Sequence, residues 1–170
     1  MNRPNWAVFL CFYFMKYRQL TKEQFSALNR EFAEFLATQQ IDAKEWHKIK
    51  EEKPSMAEEE LNIFSDVVWE DVLSKIEYLE HISANHINLF KCNSQEIIRI
   101  YIKLKDENRS FLDSEDFQWF LKNPLDEQID YFKAEKKFIK TRNSELFELI
   151  EMGSQISKGE LFTAINQLIG

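Results

Sequence analysis

A chain of 170 residues is of one-domain size and long enough to close a single core without disulfide or metal staples. Hydrophobic residues make up 44%, aromatic residues 14% and charged residues 30%, a globular composition that excludes a disordered chain and is unusual only in its 15 Phe. The formal net charge of −7 repels nucleic acid and anionic membrane at long range unless positive charge is segregated, while two distant cysteines, Cys11 and Cys92, supply no disulfide framework and favour a reducing interior, with a bridge between the two left open.

The first element in chain order is an uncharged run from Trp6 to Met15. It is half as long as the roughly 20 residues that a bilayer span needs. A cleavable signal would end on small residues, but Met15, Lys16, Tyr17 and Arg18 follow instead. The expectation is that Met15 is the natural start and that residues 1–14 are an apolar extension from an upstream start codon or a cloning choice. A signal or anchor and a genuine buried strand or helix stay open beside it. No membrane contact is expected unless residues 5–15 are retained as an anchor.

Helical periodicity then takes over. Thr21 with Gln24 has the form of a capping box, and Phe25, Leu28, Phe32, Phe35 and Leu36 follow at helical spacing, which predicts a helix over about 22–39. Asp42 with Glu45 predicts a short helix carrying Trp46 and Ile49 and stopped by Pro54. Ser55 with Glu58 caps a third, whose apolar stripe is Leu61, Phe64, Val68, Val72 and Ile76, with Trp69 at its edge. The period changes at residues 97–104, where Ile98, Ile100, Ile102 and Leu104 alternate with Arg99, Tyr101 and Lys103 as in a half-buried strand. Residues 87–92 form its hairpin partner through Asn93, Ser94 and Gln95. Residues 78–82 read as a further strand or as the frayed end of the third helix.

Beyond residue 110 the helical period returns. Ser114 opens a short helix with Phe117, Phe120 and Leu121, closed by Asn123 and Pro124. Residues 126–152 read as the longest helix, on the order of 40 Å at 1.5 Å per residue, with Gly153 as its stop. Ser157 with Glu160 caps a last helix bearing Leu161, Ile165 and Leu168. No repeat and no Pro-, Gly- or Ser-rich linker interrupts the chain. The reading is one α+β domain over 15–170, mainly helical, with a small antiparallel sheet at about 78–104 between N-terminal and C-terminal helix groups.

Several chemistries lack their residues. Only Gly153, Gly159 and Gly170 are available, all near the C-terminus, which removes phosphate-cradling loops and nucleophile elbows. His81, His86 and Cys92 share a region with Glu80, but their spacing fits no zinc signature, and Cys92 between apolar neighbours reads as an inert small hydrophobe. Asp113, Glu115 and Asp116 stand at a helix start, where capping accounts for them. A metal-dependent nuclease would place an acid and an E-x-K triplet on adjoining strands; the triplets here, Glu51 to Lys53 and Glu135 to Lys137, read as loop and helix. No cofactor is expected.

Two features point to binding. Residues 132–142 carry Lys133, Lys136, Lys137, Lys140 and Arg142 against Glu135, whereas residues 21–80 carry seven basic and 15 acidic side chains. Such blocks complement each other within one molecule or between two, and nucleic acid is disfavoured as a partner. Along the expected long helix, Ile129, Phe132, Lys136, Ile139, Asn143, Leu146 and Ile150 alternate at steps of three and four, a heptad-like stripe open to pairing within the chain or with a second copy. Trp119 points away from Phe117, Phe120 and Leu121, and is either buried by another element or open to a partner.

The segments MKYRQLTKEQF from Met15, SDVVWEDVLSKIEYLEHIS from Ser65 and NLFKC from Asn88 resemble a family of small proteins from flavobacteria and their relatives, grouped as a domain of unknown function. That resemblance implies a cytoplasmic bacterial protein and carries over no catalytic residue. The sequence therefore reads as a non-enzymatic protein-interaction or scaffold module, with Trp119, Lys133, Lys136, Lys137 and Lys140 as its interaction residues and self-association as one outcome. The rival is a small enzyme or ligand-binding protein whose site gathers Glu80, His81, His86, Arg99 and Tyr101 around the sheet.

Overall fold

The computed structural model describes residues 14–170, so nearly all of the apolar N-terminal run lies outside the described residues. The chain divides into two compact units, one ending at Asp71 and one running from Val72 to Gly170.

The first unit is helical: α1 (Lys22–Ala27), α2 (Asn29–Thr38), α3 (Ala43–Glu52) and α4 (Pro54–Lys75), the last of which reaches Asp71 within this unit. The capping box is complete, Thr21 accepting from Gln24 N–H while the Gln24 side chain accepts from Thr21 N–H. Asp42 likewise accepts from the N–H groups of Lys44 and Glu45. The Phe-rich composition is spent here: Phe32 packs edge-on against Phe25, Trp46 and Phe64 at centroid distances of 5.7, 5.3 and 5.0 Å. The segment before α1 is stapled to α4 by polar groups. The Asp66 carboxylate accepts from Lys16 and Tyr17 N–H at 2.6 and 2.8 Å, Ser65 Oγ accepts from Leu20 N–H, and Trp69 Nε1 donates to the Arg18 carbonyl. Trp69, at the edge of the stripe, is buried.

The second unit is built on one antiparallel sheet: β1 (Tyr78–Ile82), β2 (His86–Cys92), β3 (Glu96–Leu104), β4 (Ile129–Lys137) and β5 (Gln155–Ser157), in the order β4-β3-β2-β1-β5. The helices α5 (Ser114–Lys122), α6 (Arg142–Glu151) and α7 (Glu160–Ile169) complete it. The alternation read in β3 holds. Ile87, Leu89, Ile100, Ile102, Leu104 and Ile129 form a buried face that packs with Phe111 and Phe120 and with Phe162 and Ile165 of α7. Phe120 is fully buried; truncating such a side chain to Ala costs about 3–5 kcal/mol. The fold is therefore α+β and mainly helical, with seven helices among the described residues and a five-stranded sheet. No described helix is long and apolar enough to cross a membrane.

The largest correction concerns residues 126–152. In place of one long helix stand β4 and α6, so the heptad-like stripe from Ile129 to Ile150 and its dimer seam do not exist. Lys, Ala and Glu favour helix locally, but β3 buries one face deeply and leaves a nine-residue edge beyond β2; pairing along the whole of β4 outweighs intrinsic preference. The E-x-K triplets move too: Glu135 to Lys137 lies on a strand, and Glu51 and Glu52 end α3 with Lys53 as its C-cap. Smaller differences are local. The helix over 22–39 breaks at Leu28. The third helix starts on Pro54, suited to a first helical position, so Ser55 is no cap. Ser157 ends β5, and Gly159 at φ 75° is the N-cap of α7.

Candidate functional site

The face of the sheet opposite the Ile-rich core carries a row of polar and aromatic side chains beside the buried Leu79, Phe90, Cys92 and Ile97. Strand register puts His81, Asn88, Tyr101 and Phe132 in one row across β1, β2, β3 and β4, and Arg99 in the next row beside Phe90 and Ala134. Rings meet along and beside this row: His81 to His86 at 6.1 Å, His86 to Tyr101 at 5.6 Å and Tyr101 to Phe132 at 6.0 Å. Asn88 is buried and orients Arg99, its Oδ1 accepting from Nε at 2.8 Å and from a terminal nitrogen at 2.5 Å. The guanidinium stands 5.2 Å over the Tyr101 ring. Among the described residues Arg99 forms no ion pair with a carboxylate, although it is exposed. Burial, then the neighbouring His81, then Arg99 hold the His86 imidazole below its ordinary value, so it is neutral at pH 7.

Arg99 also stands at the rim of a cleft of about 330 Å³ between this face and α6. Phe90, Ile97, Ala134, Phe138, Leu149 and Met152 make its walls apolar. Of the three acids at its margin, Glu135 is exposed and has no ion-pair partner among the described residues, while Glu145 and Glu148 are occupied. Glu145 accepts from Lys136 Nζ at 2.9 Å and from the N–H groups of Ile139 and Lys140, which hold its carboxyl below the usual range against the opposing pull of burial. Glu148 takes Lys140.

The sequence-derived candidates are distributed unevenly. His81, His86, Arg99 and Tyr101 do come together, but Glu80 shares the other face with Tyr78 and Ile82 and meets only His81 in a second cleft of about 410 Å³, beside Asp113 and Ser114. Cys92 is a free, buried thiol which burial pushes up to about 12 against a lesser opposing effect of Arg142, and an un-ionised thiol is no nucleophile. No three His, Cys, Asp or Glu among the described residues are placed to hold a metal. Trp119 turns to the core, partly buried against it, with the Arg109 guanidinium 4.1 Å over its ring; Leu121 is the exposed one, at 44%. Lys136 and Lys140 pair with α6, while Lys133 and Lys137 are exposed and have no ion-pair partner among the described residues. Sequence reading passed over the cleft and Asn88, because α6 was hidden inside the expected long helix and a single buried Asn has no periodic signature.

Fold and surface together define an α+β protein that presents an apolar cleft, with Arg99 and Lys136 and three carboxylates in its lining, beside an aromatic row on a sheet. The chain belongs to a family of unknown function (DUF6495), whose model matches residues 15–170, the span over which the segments at Met15, Ser65 and Asn88 carry the resemblance. Neither a curated protein nor a solved structure matches it.

Proposed function

We propose that this protein is a cytoplasmic, non-enzymatic interaction module of bacterial origin that docks an acidic peptide segment carrying an apolar anchor residue. The observation that carries this reading is Arg99: a guanidinium oriented by a buried Asn88, without a carboxylate partner among the described residues, at the rim of an apolar cleft. A cleft of about 330 Å³ suits one or two large apolar side chains, and a flanking carboxylate would take the Arg99 fork bidentately. Tyr101 and Phe132 extend the contact area at low entropic cost, Phe132 being 57% exposed. The buried, un-ionised Cys92 and the dispersed Glu80 favour binding over bond-making chemistry. Cysteine usage favours the cytoplasm.

The test is fluorescence anisotropy with two labelled hexapeptides, one carrying a central Leu flanked by Glu and one with Lys in place of Glu. The acidic peptide binds the wild-type chain and weakens at least tenfold on Arg99→Glu, and a tenfold loss corresponds to about 1.4 kcal/mol. Preference for the basic peptide, or equal binding by the Arg99→Glu variant, would refute the reading.

A further inference from the structure

The geometry points to β4 as a self-pairing edge: two copies join antiparallel along it, each Lys133 opposite the other copy's Glu135, so that five strands from each copy become one continuous sheet. Among the described residues β4 is the last strand on its side of the sheet, and it is nine residues long. Its phase follows from the bonds at its two ends. Lys105 N–H donates to the Gln128 carbonyl and Phe138 N–H donates to the Gln95 carbonyl, so even-numbered residues turn their backbone groups to β3. Tyr131, Lys133, Glu135 and Lys137 turn theirs outward, and all but Tyr131 are exposed.

A second β4 must therefore face odd residues with odd residues. With Ala134 on the two-fold axis, Lys133 meets Glu135 twice, Tyr131 meets Lys137 and Phe132 meets Lys136, and no like charges oppose. A slip of two residues one way sets Lys133 against Lys133; the other way sets Glu135 against Glu135 and Lys133 against Lys137. Directly opposed like charges destabilise a strand pair and opposite charges stabilise it, which selects the first register. Lysines on an edge ordinarily repel foreign strands. Here the Lys-Ala-Glu order of residues 133–135 makes the edge complementary to its own copy. The two-fold axis runs perpendicular to the sheet, so Tyr101 and Phe132 of both copies share one side.

Sedimentation equilibrium of the full chain tests this, at up to about 300 µM because an interface of strand-edge size is at the weak end of the range. A monomer–dimer equilibrium is expected, with Lys133→Glu and Glu135→Lys each weakening dimerisation at least tenfold, and the double exchange restoring it to within about threefold of the wild type. A wild-type monomer throughout that range, single variants that dimerise as the wild type does, or a double variant that stays monomeric would each overturn the assignment. Should a single variant fail to fold, the double exchange decides alone. Mass is read here and peptide binding at Arg99 above, so either conclusion can fail without the other.

Discussion

At the scale of the residue, Arg142 carries the most structure for one side chain. Its guanidinium donates to the carbonyls of Leu73, Ile76, Cys92 and Asn93, tying the end of α4 to the β2–β3 hairpin from the first residue of α6. The carbonyls at a helix end have no partner of their own within the helix, and a charged planar fork satisfies several at once. As the last member of a basic run, Arg142 looks in the sequence like part of a solvated face. Hydrogen bonds to charged groups are each worth about 1.5–3 kcal/mol, with losses at one site overlapping, so Arg142→Ala is expected to cost about 2–3 kcal/mol. Arg142→Lys should recover less than half of that, since a point charge reaches fewer carbonyls. Urea unfolding followed by circular dichroism measures both; a loss under about 1 kcal/mol for Arg142→Ala would show that the carbonyls find water instead.

At the scale of the element, the start of α7 rests on Gly159. Its φ of 75° is left-handed, and a Cβ there would fall onto the Tyr78 ring, which itself packs against Phe162 at 5.6 Å. Gly159→Ala is therefore expected to cost about 2 kcal/mol or more, from the backbone and the ring together, and Tyr78→Ala in the same chain should relieve the steric part. A double-mutant cycle in urea measures the coupling, and additive losses would count against the contact. The elements that could be read from the sequence are those whose burial and propensity agree. In β3 the Ile residues alternate and are buried; in α3 and α5 an Asp cap precedes an apolar stripe. Residues 129–137 were opaque because only Ile129 of that strand is buried, so period-two burial never shows, while Lys, Ala and Glu point to helix. β5 is three residues long and too short to have a period. The site divides likewise: Arg99 and Tyr101 stand out as the polar face of a strand, whereas Leu149 and Met152 join the cleft only once α6 folds back over the sheet.

At the scale of the whole molecule, ionisation couples to stability on the alkaline side. Burial pushes the Cys92 thiol from 9.0 to about 12 and the Tyr131 phenol from 10.0 to about 12; Tyr131 also donates to the Pro124 carbonyl at 2.6 Å. At these two groups, and at the Tyr17 phenol, which burial and Glu70 also raise, the folded chain keeps protons that the unfolded chain releases, so stability falls with pH wherever the folded state binds more protons. That contribution is complete below about 9, declines first through Cys92 and then through Tyr131, and stops changing above about 12. The exposed pairs of Lys16 and Lys140 act in the same direction, through Glu70 and Glu148, but begin only near 10.5 and are screened by solvent. The expected outcome is a urea midpoint that is level between about pH 7 and 8.5 and falls steadily from about 9 to 11. Cys92→Ala lowers the midpoint at every pH by the loss of packing, but moves the onset of the decline up toward 10, where Tyr131 takes over. A midpoint that stays level to pH 11, or an onset that Cys92→Ala leaves in place, would mean that these two groups meet water in the folded protein and that the second unit is looser around β2 and β4 than its burial implies.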